Sequence, residues 1–132
     1  MDDPVHVPFF APHLYIPAGV TSVDFYIKAF AATELRRFLN DDGSYHVSEL
    51  AIEGRIFHLH ELKKANGQLD PDTADGTTVA IGLFVADVDV VVQAAIQAGA
   101  RILSPARDYD YGYRQAMIVD PFGHQWLIEM RI

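Results

Sequence analysis

The sequence predicts an α+β fold of two tandem βαβββ modules, and three observations carry that expectation. Apolar periodicity runs in the order strand, helix, strand, strand, strand; a polar stretch, KKANGQLDPDTADG at 63–76, interrupts it; and beyond the interruption the same order begins again. FFAPHLYIP is aromatic and short of helix formers, so a strand is expected over about 9–16, ended by Pro17 and Gly19. Val20, Val23, Ile27 and Phe30 then fall at spacings of three and four, with Thr21 or Ser22 as a cap, which predicts an amphipathic helix over about 20–31. ELRRFLN, YHVSELAIE and RIFHLHEL show partial period-two alternation and are separated by Asp41, Asp42 and Gly43 and by Gly54, the pattern of three antiparallel strands. Residues 63–76 hold only Ala65, Leu69 and Ala74 as apolar side chains and read as a linker or mobile surface loop.

In the second half TTVAIGLFV reads as a buried strand. DVDVVVQAAIQAGA then puts Val88, Val91, Val92, Ala95 and Ile96 on one helix face, with Asp87 as cap and Gly99 as stop. Laying Leu14 on Leu83 is an offset of 69 residues that needs no gap over this strand and helix. The same offset sets RIFHLHEL (55–62) on HQWLIEMR (124–131), so each half ends in an equivalent strand. A single domain, 1–132, is expected, with module one over about 8–62 and module two over about 77–131.

Composition narrows the chemistry. The 132 residues are 50% hydrophobic and 21% charged, ordinary globular usage that leaves ample apolar side chain for a core. A net charge of −8 without a Lys/Arg cluster removes the electrostatic basis for binding nucleic acid or an anionic membrane surface. With no Cys, a disulfide, a zinc ribbon and a thiol nucleophile are excluded, and any metal falls to His, Asp, Glu or Tyr. The N-terminus is acidic where a signal peptide is basic, and the apolar runs fall short of a membrane span, so a cytoplasmic protein is expected. No phosphate-cradling Gly loop, dinucleotide fingerprint or nucleophile elbow occurs.

SVDFYIKAF, VADVDVVVQAAIQAGA and YGYRQAMIVDPFGHQW resemble the vicinal oxygen chelate superfamily of glyoxalase, bleomycin-resistance and extradiol dioxygenase proteins, and most closely its PhnB-like branch. The resemblance runs from about Pro8 to Met130, and DPFGHQW is its most specific piece. Asp120, Pro121 and Gly123 also make local sense as a tight turn between two strands, with Phe122 and Trp126 as core aromatics. The resemblance implies curled four-stranded mixed sheets, each with its helix on the convex face. It also implies a cavity between concave faces and a homodimer.

The superfamily's metal slots, on the first and last strands of each module, fall on Ala11, His58, Ala80 and Leu127. Only His58 can bind an ion, so no metal cofactor is expected, since a divalent site with open positions needs at least three ligands. One pleat further along, the same faces carry His13, His60, Gly82 and Glu129. A displaced site of His13, His60 and Glu129 is therefore the alternative. Otherwise these are half-buried hydrogen-bonding histidines and an exposed end-of-strand carboxylate. Tyr15 shares the face with His13. In DYDYGYR, Tyr111 and Arg114 suit a planar or anionic ligand, the ring by stacking and the guanidinium by paired hydrogen bonds; the competing expectation pairs Arg114 with Asp108 or Asp120. His46, His124 and His6 are assigned no function.

The favoured function is small-molecule binding, probed by His13, Tyr15, His58, His60, Tyr111, Arg114 and Glu129 and independent of metal. The alternative is a metal-dependent lyase, isomerase or dioxygenase using the displaced His/His/Glu site, and a third is a scaffold whose cavity is filled by side chains.

Overall fold

The computed structural model describes residues 7–132, and His6 lies outside them. β1 (His13–Ile16) buries Leu14 and Ile16 and turns His13 and Tyr15 to the opposite face. It is shorter than the expected strand at 9–16. Pro12 has no N–H for a ladder, its carbonyl accepts from the His58 N–H at 2.9 Å, and Phe9 and Phe10 remain exposed. α1 (Asp24–Phe30) likewise starts later than expected. The Val20 carbonyl is taken by the Tyr45 N–H at 2.8 Å, so it cannot serve a first helical turn, and Ser22 Oγ accepts from the Asp24 N–H at 3.2 Å. Ala31 closes the helix with φ 55°.

β2 (Thr33–Leu39), β3 (Tyr45–Ile52) and β4 (Arg55–Glu61) follow as expected, in a mixed sheet of order β1-β4-β3-β2 with β1 parallel to β4. Residues 63–76 are more ordered than a plain linker. They form a 3-10 turn at 64–66 and a short helix, α2 (Pro71–Ala74). Asp70 is buried and accepts from the Thr73 N–H at 2.9 Å, with Pro71 in the first turn, a cap-and-proline start that the sequence DPDT already spells.

The second module repeats the first with β5 (Ala80–Phe84), α3 (Val88–Ala98), β6 (Arg101–Tyr109), β7 (Tyr113–Val119) and β8 (Gln125–Arg131), in sheet order β5-β8-β7-β6. Asp87 accepts from the Val90 N–H and Gly99, at φ 119°, ends α3. The repeat extends to strand register: β1 pairs His13 with His58, β5 pairs Gly82 with Leu127, and each partner is displaced by the same 69 residues.

Each sheet buries one face, and these faces meet with α1 and α3 in one core. Tyr26, Phe30, Phe57 and Trp126 join the two modules there, with ring centroids 4.7 Å apart for Phe30 and Trp126 and 5.4 Å for Tyr26 and Phe57. The Asp120 carboxylate is the polar centre of that junction. Its Oδ2 accepts from Tyr26 Oη at 2.6 Å and Trp126 Nε1 at 2.9 Å, and its Oδ1 from the N–H groups of Phe122 and His124. The opposite face of each sheet is directed away from this core, and the sheets do not close into a barrel. No helix among the described residues is long and apolar enough to cross a membrane.

Candidate functional site

His58 and His60 are two apart on β4, so both project from the sheet face opposite Phe57 and Leu59, which are buried. Parallel pairing with β1 sets His13 beside His58 and Tyr15 beside His60. The outcome is a group of three imidazoles. His13 Nδ1 and His60 Nε2 are 3.0 Å apart, one ring donating and the other accepting, and ring centroids are 4.6 Å apart for His13 and His58. One nitrogen from each of the three lies within 4.8 Å of those of the others. Antiparallel pairing with β3 puts Glu49 opposite His58, and its carboxylate lies 2.9 Å from His58 Nε2. Partial burial, reinforced by the neighbouring histidines, lowers the pKa values of His13 and His60 below the ordinary imidazole value, so both rings are neutral at neutral pH.

Glu129 does not join this group. It lies on β8 of the other sheet, opposite Gln115, and is buried rather than exposed at the strand end. Gln115 Nε2 donates to its Oε1 at 2.8 Å, and Tyr111 Oη donates in turn to Gln115 Oε1. Gly82 makes this possible: a Cβ there would stand 2.8 Å from Glu129 Oε2. By the 69-residue offset, Gly82 and Glu129 occupy the positions of His13 and His60. One module thus holds a cluster of bases and the other a carboxylate laid over a glycine. The alternative trio of His13, His60 and Glu129 is not brought together; His13, His58 and His60 are, because two adjacent strands of one sheet supply all three.

Arg114 lies on the face of β7 that meets α3, the side opposite Gln115 and Glu129. Its guanidinium bonds Asp89 of α3 through Nε at 3.0 Å and Nη2 at 2.9 Å, and Asp108 through Nη1 at 2.9 Å. These partners raise its pKa above the ordinary arginine value and lower that of Asp89. Tyr111 is 60% exposed and stacks on Tyr109 at 5.2 Å between centroids. The main-chain carbonyl of Tyr15 accepts from His124 Nε2 at 2.7 Å, so His124 is half-buried and ties the turn after β7 to the free edge of β1.

A cleft of about 610 Å³ between the edges of β1 and β5 includes His13 and Tyr15. The larger cavity, about 1040 Å³, lies between the β3–β4 hairpin, β5 and α3 and is mainly apolar. The residues of chemical interest that sequence reasoning missed are Glu49 and Asp89. Glu49 was within reach: the two-residue turn at Glu53 and Gly54 pairs Ile52 with Arg55, and counting back sets Glu49 against His58. Asp89 carried no such signal, being 25 residues from Arg114 on another element.

The donor chemistry decides how a metal would fit. Of the slots that the resemblance assigns, Ala11, Ala80 and Leu127 carry no donor side chain. Three imidazole nitrogens within 4.8 Å of one another do suit a divalent transition ion.

Residues 14–128 match the model of the Glyoxalase/Bleomycin resistance protein/Dioxygenase superfamily. An uncharacterized protein of Mycobacterium tuberculosis is 37% identical over 122 residues, 90% of this chain and 72% of that protein. The crystal structure of TioX from Micromonospora sp. ML1 superposes with a TM-score of 0.69 at 21% identity, covering 94% of this chain and 100% of that one. The fosfomycin resistance protein FosX from Mesorhizobium loti does so at 0.68 and 12% identity, covering 95% of this chain and 92% of that one. At such identities the likeness speaks for the fold.

Proposed function

From its place in the glyoxalase/bleomycin resistance/dioxygenase superfamily, to which this chain belongs, we propose that the protein captures a small molecule on the open face of its first sheet. The observation that supports this reading best is the set of three imidazoles within 4.8 Å on a partly exposed face beside Tyr15. Neutral imidazoles both donate and accept hydrogen bonds, and their rings with Tyr15 offer flat apolar surface, so a small planar or oxygen-rich ligand fits. Capture of this kind needs no metal. The second sheet carries Glu129, Gln115 and Tyr111 on its own open face, and a homodimer that lays this face over the first sheet of a second copy would enclose the ligand.

The test follows the histidine ring signals by heteronuclear NMR while small carboxylates, fosfomycin and planar aromatic compounds are added. Expected is a compound that selectively moves the His13, His58 and His60 resonances and whose affinity drops at least tenfold in His60→Ala while the spectrum of the fold is retained. Compounds that perturb only the cavity beside α3 would overturn the assignment.

A second reading, a metal-dependent lyase, isomerase or dioxygenase, is favoured by one specific observation: the three histidines are the right number and type of donor for a metal with open positions.

A further inference from the structure

We propose that His13, His58 and His60 form a transition-metal site held entirely by the first module, with Glu49 positioning His58 and at least one coordination place left open. The inference deepens the second reading above and does not depend on ligand capture.

Local geometry brings the donors together before any ion arrives. The period of β4 aims His58 and His60 the same way, and the parallel register sets His13 beside His58, its ring 4.6 Å from that of His58 and 4.8 Å from that of His60. Four-coordinate zinc with nitrogen ligands at about 2.0–2.1 Å sets neighbouring donors about 3.3 Å apart. His13 Nδ1 and His60 Nε2 already stand at 3.0 Å, and every donor lies within 4.8 Å of the others. The wider separations therefore need to shorten by at most about 1.5 Å to close the set.

His58 has its outer partner in place. Its Nε2 faces Glu49 Oε2 at 2.9 Å, which leaves Nδ1 as the lone-pair donor. A carboxylate behind a ligating imidazole fixes its tautomer and ring angle and raises its basicity. Glu49 is a positioning residue in this scheme.

The donor set also selects the ion. Three imidazoles without a carboxylate or thiolate in the group suit zinc, cobalt, nickel or copper, and not magnesium or calcium, which take oxygen ligands. Neutral ligands leave the ion its full double charge, offset by Glu49 behind the group. An ion so held attracts oxygen anions and acidifies a bound water. The class of ligand for the open place is therefore an anionic or chelating oxygen compound. The site differs from the superfamily's slots, of which it shares His58 alone, and it is complete within one chain.

The experiment uses the full-length protein, without a histidine tag, stripped with chelator and titrated with Zn²⁺ by calorimetry and Co²⁺ by visible absorption. Expected are one ion per chain and an intense four- or five-coordinate cobalt spectrum. Both should be lost in His58→Ala and weakened at least tenfold in His13→Ala and His60→Ala, while His46→Ala behaves as wild type. Glu49→Gln should weaken zinc binding about 10–100-fold while leaving the melting temperature of the metal-free protein unchanged. A stoichiometry near zero, binding indifferent to the three histidines, or a weak six-coordinate cobalt spectrum would overturn the site. Circular dichroism of each variant shows whether a loss reflects unfolding, and a double variant His13→Gln/His60→Gln supplies the same test with ring-sized polar replacements. NMR-detected ligand capture by the metal-free protein keeps the two proposals apart: capture without metal binding sinks only the metal site, and metal binding without capture sinks only the first reading.

Discussion

Replacing Asp120 by Ala should be the most costly single change at the junction of the modules. The carboxylate accepts from the Tyr26 hydroxyl and the Trp126 indole N–H, on side chains that are 0% and 2% exposed. Truncation leaves both donors buried with no acceptor, at about 1–3 kcal/mol each. It also frees the N–H groups of Phe122 and His124 in the turn, at about 1 kcal/mol by analogy with a lost cap. The expected loss is therefore about 3–7 kcal/mol, a large share of the roughly 5–15 kcal/mol that stabilises a domain. Urea unfolding followed by Trp126 fluorescence measures it, the midpoint falling while the slope is preserved. Asp120→Asn keeps one acceptor oxygen and should lose about half as much. Tyr26 gives an independent reading: burial first, and then the Asp120 charge, push its pKa well above the ordinary tyrosine value, so its phenol should ionise only when the protein unfolds in alkali. A destabilisation under about 1 kcal/mol for Asp120→Ala would refute the claim that this carboxylate holds the modules together.

Two further outcomes are expected. Arg114→Ala should leave the urea midpoint nearly unchanged, because its partners Asp89 and Asp108 are both 62% exposed and their ion pairs are screened by water, and should leave ligand affinity unchanged; a tenfold loss in affinity would place the guanidinium at the ligand. Because His13 and His60 titrate below the ordinary value of 6.5 in the folded protein, the unfolded chain binds more protons just under that pH. Their contribution is thus complete above about pH 6.5 and is lost as pH falls through the lowered folded values. Urea midpoints at pH 8 and pH 5.5 should fall further apart in wild type than in His13→Gln/His60→Gln, and equal differences would disprove the shift.

The order of elements was legible because strand and helix periods, caps and turns are written within a few residues of one another. Asp87, Gly99 and Gly54 mark element ends where the structure has them, and the 69-residue offset survives as identical register in both sheets. Boundaries that depend on remote partners were misjudged. Val20 belongs to Tyr45 and not to α1, and Pro12 shortens β1.

The sequence alone determined that His13 shares a strand face with Tyr15, and His58 with His60, since side chains alternate along any strand. Tertiary structure decided which of them meet. His13 reaches His60 across 47 residues, Tyr26 reaches Asp120 across 94, and Arg114 is taken up by Asp89 on a helix packed against the far side of its sheet. Glu129, equally promising in sequence, is drawn to Gln115 over Gly82 in the other module. The physical reason is that alternation is a property of one strand, whereas neighbours are set by the pairing register between strands and by the burial that selects it.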